Sequence, residues 1–256
     1  MARFFIPPHS ARDGRAKLTG PELHHLRDVL RLGRGDHVTL FDGAGREFRG
    51  RIERISPAEA DIAVVEVERP REPALRLALA AGLLKGRRTD LVIEKATELG
   101  VSRIIPLRSA RTVPAADASR EDARLARWRR VALSAAKQCG RSELPSVEAP
   151  IRLAELAARI PREAARLLLW EGERRTFLED AARALPSAQD LVVVVGPEGG
   201  FSDEEIAFAR DEGFRVVGLG GGRVLRSETA AIVAAALCQF LWGDLGRSPR
   251  REPAGR

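Results

Sequence analysis

Residues 191–195, Leu-Val-Val-Val-Val, are five apolar side chains in a row with no alternation. A strand with one wet face alternates apolar and polar residues. This run therefore predicts a strand buried on both faces, as in a parallel sheet layered between helices. It ends at Gly196-Pro197-Glu198-Gly199-Gly200. Ser202 followed by Glu205 has capping-box spacing and predicts a helix to about Glu212, stopped by Gly213. A second short strand over 215–219 meets a second glycine loop, 218–222. Arg223-Val224-Leu225-Arg226 then leads into a last helix over 227–242. Two glycine loops thus leave the carboxyl ends of two strands, where open α/β sheets hold their ligands.

Walls of this kind are backbone rather than side chain. Glycine lets N–H and C=O groups touch a ligand, and Pro197 stiffens the first loop so that less order is lost on binding. They suit a neutral or cationic nucleoside better than a polyphosphate, because neither loop carries a Lys followed by Ser or Thr. A dinucleotide-binding dehydrogenase is excluded by the missing fingerprint spacing and the missing acidic ribose ligand. Either loop alone reads equally well as a plain turn; the pair is far more specific.

The chain has 256 residues, enough for one large or two small domains, and 44% hydrophobic with 31% charged residues describes a soluble globular protein. No window has the apolar length of a membrane span, and the first ten residues lack the pattern of a signal peptide, so the expected location is the cytoplasm. Cys139 and Cys238 have no ligand spacing, which argues against a structural metal and fits a reducing compartment. The net charge of +7 points to a polyanionic partner, but composition alone does not separate nucleic acid from a general use of arginine. The distribution is more informative: residues 1–70 are nearly balanced, whereas 108–141 hold nine basic residues against three acidic ones. That segment is a candidate RNA surface, with a solvated helix face as the alternative.

Residues 1–70 read as a small β-barrel with one helix. Strands are expected over 2–6, 38–41, 47–55 and 61–67, with Asp42-Gly43 and Gly45 turning the chain between two of them. Thr19, Pro21 and Glu22 predict a capped helix running to about Leu30. Arg27 and Arg31, four apart, would then share one side and can hold phosphates; the alternative is two solvated arginines. His24 and His25 are adjacent and read as structural. The charged, proline-bearing stretch 68–73 marks a boundary. From 73 to 245 strands (74–80, 103–106, 167–170) alternate with helices (90–99, 120–138), which argues for a largely parallel sheet. The polar stretch 246–256 is expected to be a disordered tail.

Lys85 and Arg88 follow the first strand of this second domain, on the same sheet edge as the glycine loops, and can steer RNA. Lys95 and Glu98 read as an intrahelical ion pair. Gln138 and Arg141 are candidates for contact with a target nucleotide. The last helix is apolar on nearly every side and must be covered by its own core or by another subunit.

GPEGGFS and LGGGRVLRSETA resemble the carboxyl-terminal signature of the SPOUT methyltransferases, and specifically of the RsmE family, which methylates uridine N3 in 16S ribosomal RNA. Residues 23–45, 83–101 and 135–145 resemble that family's motifs in the same order, so the likeness covers nearly the whole chain. The resemblance implies a deep trefoil knot in the α/β domain and a PUA-like barrel that binds RNA. It also implies a homodimer, and S-adenosylmethionine as cofactor. The cofactor loops would be Gly196, Pro197, Glu198, Gly199 and Gly200 with Leu219, Gly220, Val224, Leu225 and Arg226. Losing the N3 proton puts negative charge on the uracil carbonyls, so the site needs a base or a stabilising cation. Arg226 is the candidate for stabilising the uracil and Glu228 for orienting Arg226 or accepting the proton; the alternative for both is structural. Other readings are a SPOUT enzyme acting on a ribose 2'-hydroxyl and a non-catalytic RNA-binding protein.

Overall fold

The structure is a computed structural model that describes residues 2–69, 75–111 and 121–246. The expected boundary at 70–73, residues 112–120 of the basic segment, and the expected tail beyond 246 lie outside the described residues. The chain divides into two compact units, Met1–Glu72 with Leu133–Leu144, and Pro73–Ala132 with Pro145–Arg256.

The first unit is a curled five-stranded sheet. Its strands are β1 (Ala2–Phe5), β2 (Arg15–Thr19), β3 (His37–Phe41), β4 (Glu47–Ile55) and β5 (Glu59–Glu68), in the order β1-β3-β4-β5-β2. β1 and β3 run parallel and the other pairs antiparallel. Phe4, Leu18, Leu26, Val38, Leu40, Ile52 and Ile62 fill its core. The helix expected to run to Leu30 is shorter: α1 (Gly20–His24) passes into a π-helical turn over His25–Val29. The expected capping box is absent, since the Thr19 side chain makes no cap hydrogen bond. Glu22 is engaged elsewhere. Its carboxylate accepts from Lys137 Nζ at 2.8 and 2.9 Å and from the Phe5 N–H at 3.2 Å. Residues 133–144 are tied in further by Arg3, which donates to Glu47 (2.6 Å), to Ser142 Oγ (2.8 Å) and to the Arg141 carbonyl (2.9 Å).

The second unit is a parallel α/β sheet. Its elements are β6 (Arg76–Gly82), α2 (Arg88–Glu98), β7 (Arg103–Arg108), α3 (Glu121–Cys139, whose last turns count with the first unit), β8 (Ser146–Val147), β9 (Ile151–Arg152), α4 (Leu153–Arg159), β10 (Ala165–Leu169), α5 (Leu178–Ala184), β11 (Asp190–Val195), α6 (Asp203–Asp211), β12 (Arg215–Val217) and α7 (Ser227–Leu241). The strand order is β12-β10-β11-β6-β7-β8, with β9 also paired to β7, and every pairing is parallel. The apolar run on β11 has the reason expected of it. Leu191, Val193 and Val195 pack into one core layer and Val192 and Val194 into the other. Pairing of Leu169 with both Val195 and Val217, and of Val195 with Ala81, brings the carboxyl ends of β10, β11, β12 and β6 to one edge. Among the described residues no helix is long and apolar enough to cross a membrane.

Candidate functional site

At that edge a cavity of about 340 Å³ opens among three loops. The first, after β11, contributes Gly196, Pro197, Glu198 and Gly200; the second, after β12, contributes Gly218 to Leu225. The Ser202–Glu205 capping box forms as expected, with Ser202 Oγ accepting from the Glu205 N–H at 3.2 Å and Glu205 returning to the Ser202 N–H at 3.0 Å. It fixes where α6 starts and hence where the first loop must end. Gly82 at the end of β6 lies beneath this loop: a Cβ there would stand 2.6 Å from Pro197 Cα. In the second loop Gly220, Gly221 and Gly222 have φ of +77°, +76° and +67°, a left-handed run that costs other residues about 1–2 kcal/mol each.

The third loop, 170–177 after β10, was not expected from the sequence. Trp170, Glu171, Glu173, Arg174 and Phe177 line the cavity. The rule applied to β11 and β12, that ligands sit beyond the carboxyl ends of strands, would have found this loop too, since β10 was legible. It is sewn to the second loop by the Gly218 N–H donating to Thr176 O (2.9 Å) and the Leu178 N–H donating to Gly218 O (3.2 Å). Glu173 accepts from the backbone N–H groups of Arg175 (2.9 Å) and Thr176 (3.3 Å) and pairs with Arg210 at 3.3 Å. The Arg175 N–H is the largest cause holding the Glu173 carboxyl below its usual range.

Of the residues expected around a cofactor, Gly196, Pro197, Glu198, Gly200, Leu219, Gly220, Val224 and Leu225 line the cavity, whereas Gly199 and Arg226 do not. Gly199 turns its carbonyl to Arg111, which donates at 3.0 Å. Arg226 is the exposed residue preceding α7. Glu228, in the first turn of α7, is buried, and its Oε2 has no hydrogen-bond partner among the described residues. Its Oε1 lies 3.9 Å from Nε of Arg88, and Nη1 of Arg88 bonds Glu198.

The remaining candidates divide between the units. Lys85, on the second, is exposed. On the first, Arg27 pairs with Asp28 at 2.9 Å and donates to Pro57 O at 3.3 Å. Arg27 foremost, with His24, holds the Asp28 carboxyl down to about 2. Arg31 does not share a helical face with Arg27: it lies past the π turn, exposed, with φ +54°. Gln138 is exposed near the end of α3, and Arg141 is half-buried. Lys95 pairs with Glu98 (2.9 Å) and Glu94 (2.8 Å), the structural role expected of it.

Residues 70–239 match the family described as RNA methyltransferase domain, and residues 18–65 the RNA methyltransferase PUA domain. The ribosomal RNA small subunit methyltransferase E of Bacillus subtilis is 30% identical over 249 residues, covering 94% of this chain and 96% of that protein. Its Mycobacterium tuberculosis counterpart is 36% identical over 225 residues, covering 86% and 84%. A crystal structure of the Neisseria gonorrhoeae ribosomal RNA small subunit methyltransferase E, bound to S-adenosyl methionine, superposes with a TM-score of 0.87 at 34% identity, covering 96% of this chain and 99% of that one. A Legionella pneumophila protein in complex with the same cofactor gives 0.85 at 33% identity, covering 95% and 99%.

Proposed function

The chain belongs to the RNA methyltransferase family of the ribosomal RNA small subunit methyltransferases E, and from that membership we propose that it methylates N3 of a uridine in 16S ribosomal RNA, using S-adenosylmethionine and giving 3-methyluridine. The observation that carries this reading is the cavity at the carboxyl edge of the parallel sheet, walled by three loops with glycine at the points of closest approach.

Its residues fit the cofactor. About 340 Å³ lies within the ~300–1,000 Å³ of small-molecule sites. A Cβ on Gly218 would stand 2.6 Å from the Glu173 carbonyl, so the wall tolerates no side chain there. Leu169, Phe177, Leu219 and Leu225 offer apolar surface for a purine, and Glu171 and Glu173 offer acceptors for hydroxyl or ammonium groups. Bound there, S-adenosylmethionine supplies an electrophilic methyl group on a sulfonium.

The protein's own task is alignment and proton management. Transfer in line with the methyl–sulfur bond demands a fixed acceptor, and positioning supplies much of the rate. Glu228 accepts the N3 proton, and Arg226, which makes no ion pair with Glu228 among the described residues, balances the charge that develops on the uracil carbonyls. The buried Glu228 with one free carboxylate oxygen, and the exposed guanidinium of Arg226 two residues earlier, support those roles. Gly199 belongs to the cofactor loop through its backbone. Arg27, Arg31, Gln138 and Arg141 on the first unit and Lys85 on the second contact RNA, a reading supported by the match to a PUA domain.

The substrate is the RNA within the small ribosomal subunit. The enzyme acts in the cytoplasm, a reading supported by its two free cysteines. It works as a homodimer; Phe240 on α7, 57% exposed, and Leu91 on the adjoining α2, 39% exposed, support a subunit contact there. The glycine loops are crossings of a deep trefoil knot, supported by the passage of Pro197 against Gly82. Incubation with methyl-labelled cofactor and unmethylated ribosomal subunits tests the reading: label should enter the small-subunit RNA alone, and label in the large subunit or in neither would reject it.

A further inference from the structure

Arg88 stands between two carboxylates that belong to different parts of the site. It opens α2, and its guanidinium hydrogen-bonds Glu198 in the first glycine loop and stands in an ion pair, 3.9 Å and not hydrogen-bonded, with Glu228 in the first turn of α7. Among the described residues it is the only cation within ion-pairing distance of either. Its own backbone is well anchored. Thr89 Oγ1 accepts from the Leu84 N–H at 3.2 Å, closing the turn that precedes α2, and Asp90 is held by Arg127 at 2.7 Å. A guanidinium is a planar fork that addresses two acceptors at once, which the point charge of a lysine does not.

We propose that Arg88 is a positioning residue for methyl transfer: by bridging Glu198 and Glu228 it sets the first glycine loop and the start of α7 relative to each other. This reassigns it from the RNA contact its basic turn suggests, and it rests on the methyltransferase reading of the cavity. Arg88 touches neither cofactor nor uridine in this account. It acts through the two carboxylates, one lining the cavity and the other buried beside it with an oxygen left free. Lys85, exposed three residues earlier, keeps the steering role that Arg88 gives up.

The test uses the full chain in two assays. By calorimetry with S-adenosylmethionine alone, Arg88→Ala should weaken binding about tenfold. The double variant with Glu198→Ala should bind no worse than the weaker single one, since both changes remove one coupled contact. Fully additive losses would overturn the bridge. In methyl transfer to small subunits, Arg88→Ala should lower kcat by about ten- to a hundredfold with KM for RNA and its salt dependence unchanged. Arg88→Lys, which keeps charge and volume and guards against misfolding, should recover only part of the loss. A raised KM with kcat intact and a salt slope reduced by about one would mark Arg88 as a phosphate contact and reject the proposal. The calorimetric cycle needs no RNA, so it stays decisive even if the RNA reading fails.

Discussion

Replacing Gly82 by alanine probes the close packing of β6 against the first glycine loop. A Cβ at that position would stand 2.6 Å from Cα and 2.7 Å from Cδ of Pro197. Ordinary contact begins at about 3.4 Å and Pro197 N would be nearer still than Cα, so strand and loop must part by at least 0.8 Å (3.4 − 2.6). Neither side yields easily. Gly82 is fixed in β6 opposite Leu107, and Pro197 is a ring fused to its own backbone. Gly82 is not among the positive-φ residues, so backbone strain does not contribute. Overpacking of this kind costs about 1–3 kcal/mol, which at ~2–4 °C per kcal/mol lowers the melting temperature by roughly 2–12 °C. The functional loss should be larger in proportion. The displaced loop carries Pro197 and Glu198, and a shift near 1 Å in a reacting geometry costs on the order of a hundredfold. Calorimetry with S-adenosylmethionine should find a Kd raised at least about tenfold, with a parallel fall in melting temperature. Gly33→Ala, whose Cβ meets nothing within 4 Å, should leave cofactor affinity unchanged. Wild-type affinity and melting in Gly82→Ala would refute the close packing of Pro197 on Gly82.

Changing Arg27 and Arg31 together to alanine should weaken RNA binding and lower its salt slope by about 2, leaving cofactor affinity alone; an unaltered slope would return both to the solvated surface. Burial pushes the Cys238 thiol up to about 12, whereas Cys139 is exposed, so alkylation of the folded protein at pH 8 should modify one cysteine, and rapid loss of both thiols would contradict the packing of α7. Glu173 has a folded pKa below its unfolded value, so its contribution to stability is present above about pH 4.3 and lost as pH falls through the folded pKa. The stability difference between wild type and Glu173→Gln should therefore be constant near neutrality and shrink in acid; a difference that grows with acidification would mean that the fold raises the Glu173 pKa instead of lowering it.

What was legible in the sequence is what each element states by itself. Residues 191–195 must be buried on both faces, and Ser202 with Glu205 must start a helix; both follow from side chains a few positions apart. β2, with only Ala16 and Leu18 pointing inward, has too few apolar residues to announce a strand, and α4 and α5 are seven-residue helices. The features that escaped are long-range. Glu22 has the spacing of a cap but is claimed by Lys137, more than a hundred residues away, and the helix passes into a π turn that carries Arg27 and leaves Arg31 beyond it. The wall built by 170–177 was missed because its loop is not glycine-rich; it enters the cavity through Phe177 and backbone bonds to Gly218. Arg88 reads as one basic residue among several until the fold brings two carboxylates to it.

On the proposed reading, the three-loop cavity aims a methyl group at N3 of a uridine. Small subunits lacking the modification, incubated with the enzyme and S-adenosylmethionine, should yield 3-methyluridine on nucleoside mass spectrometry of the digested 16S RNA, and Glu228→Gln should abolish it. A methyl group on a ribose 2'-hydroxyl or on another base would contradict the account of the target atom, and no methylated nucleoside, with cofactor bound, would contradict the account of the enzyme.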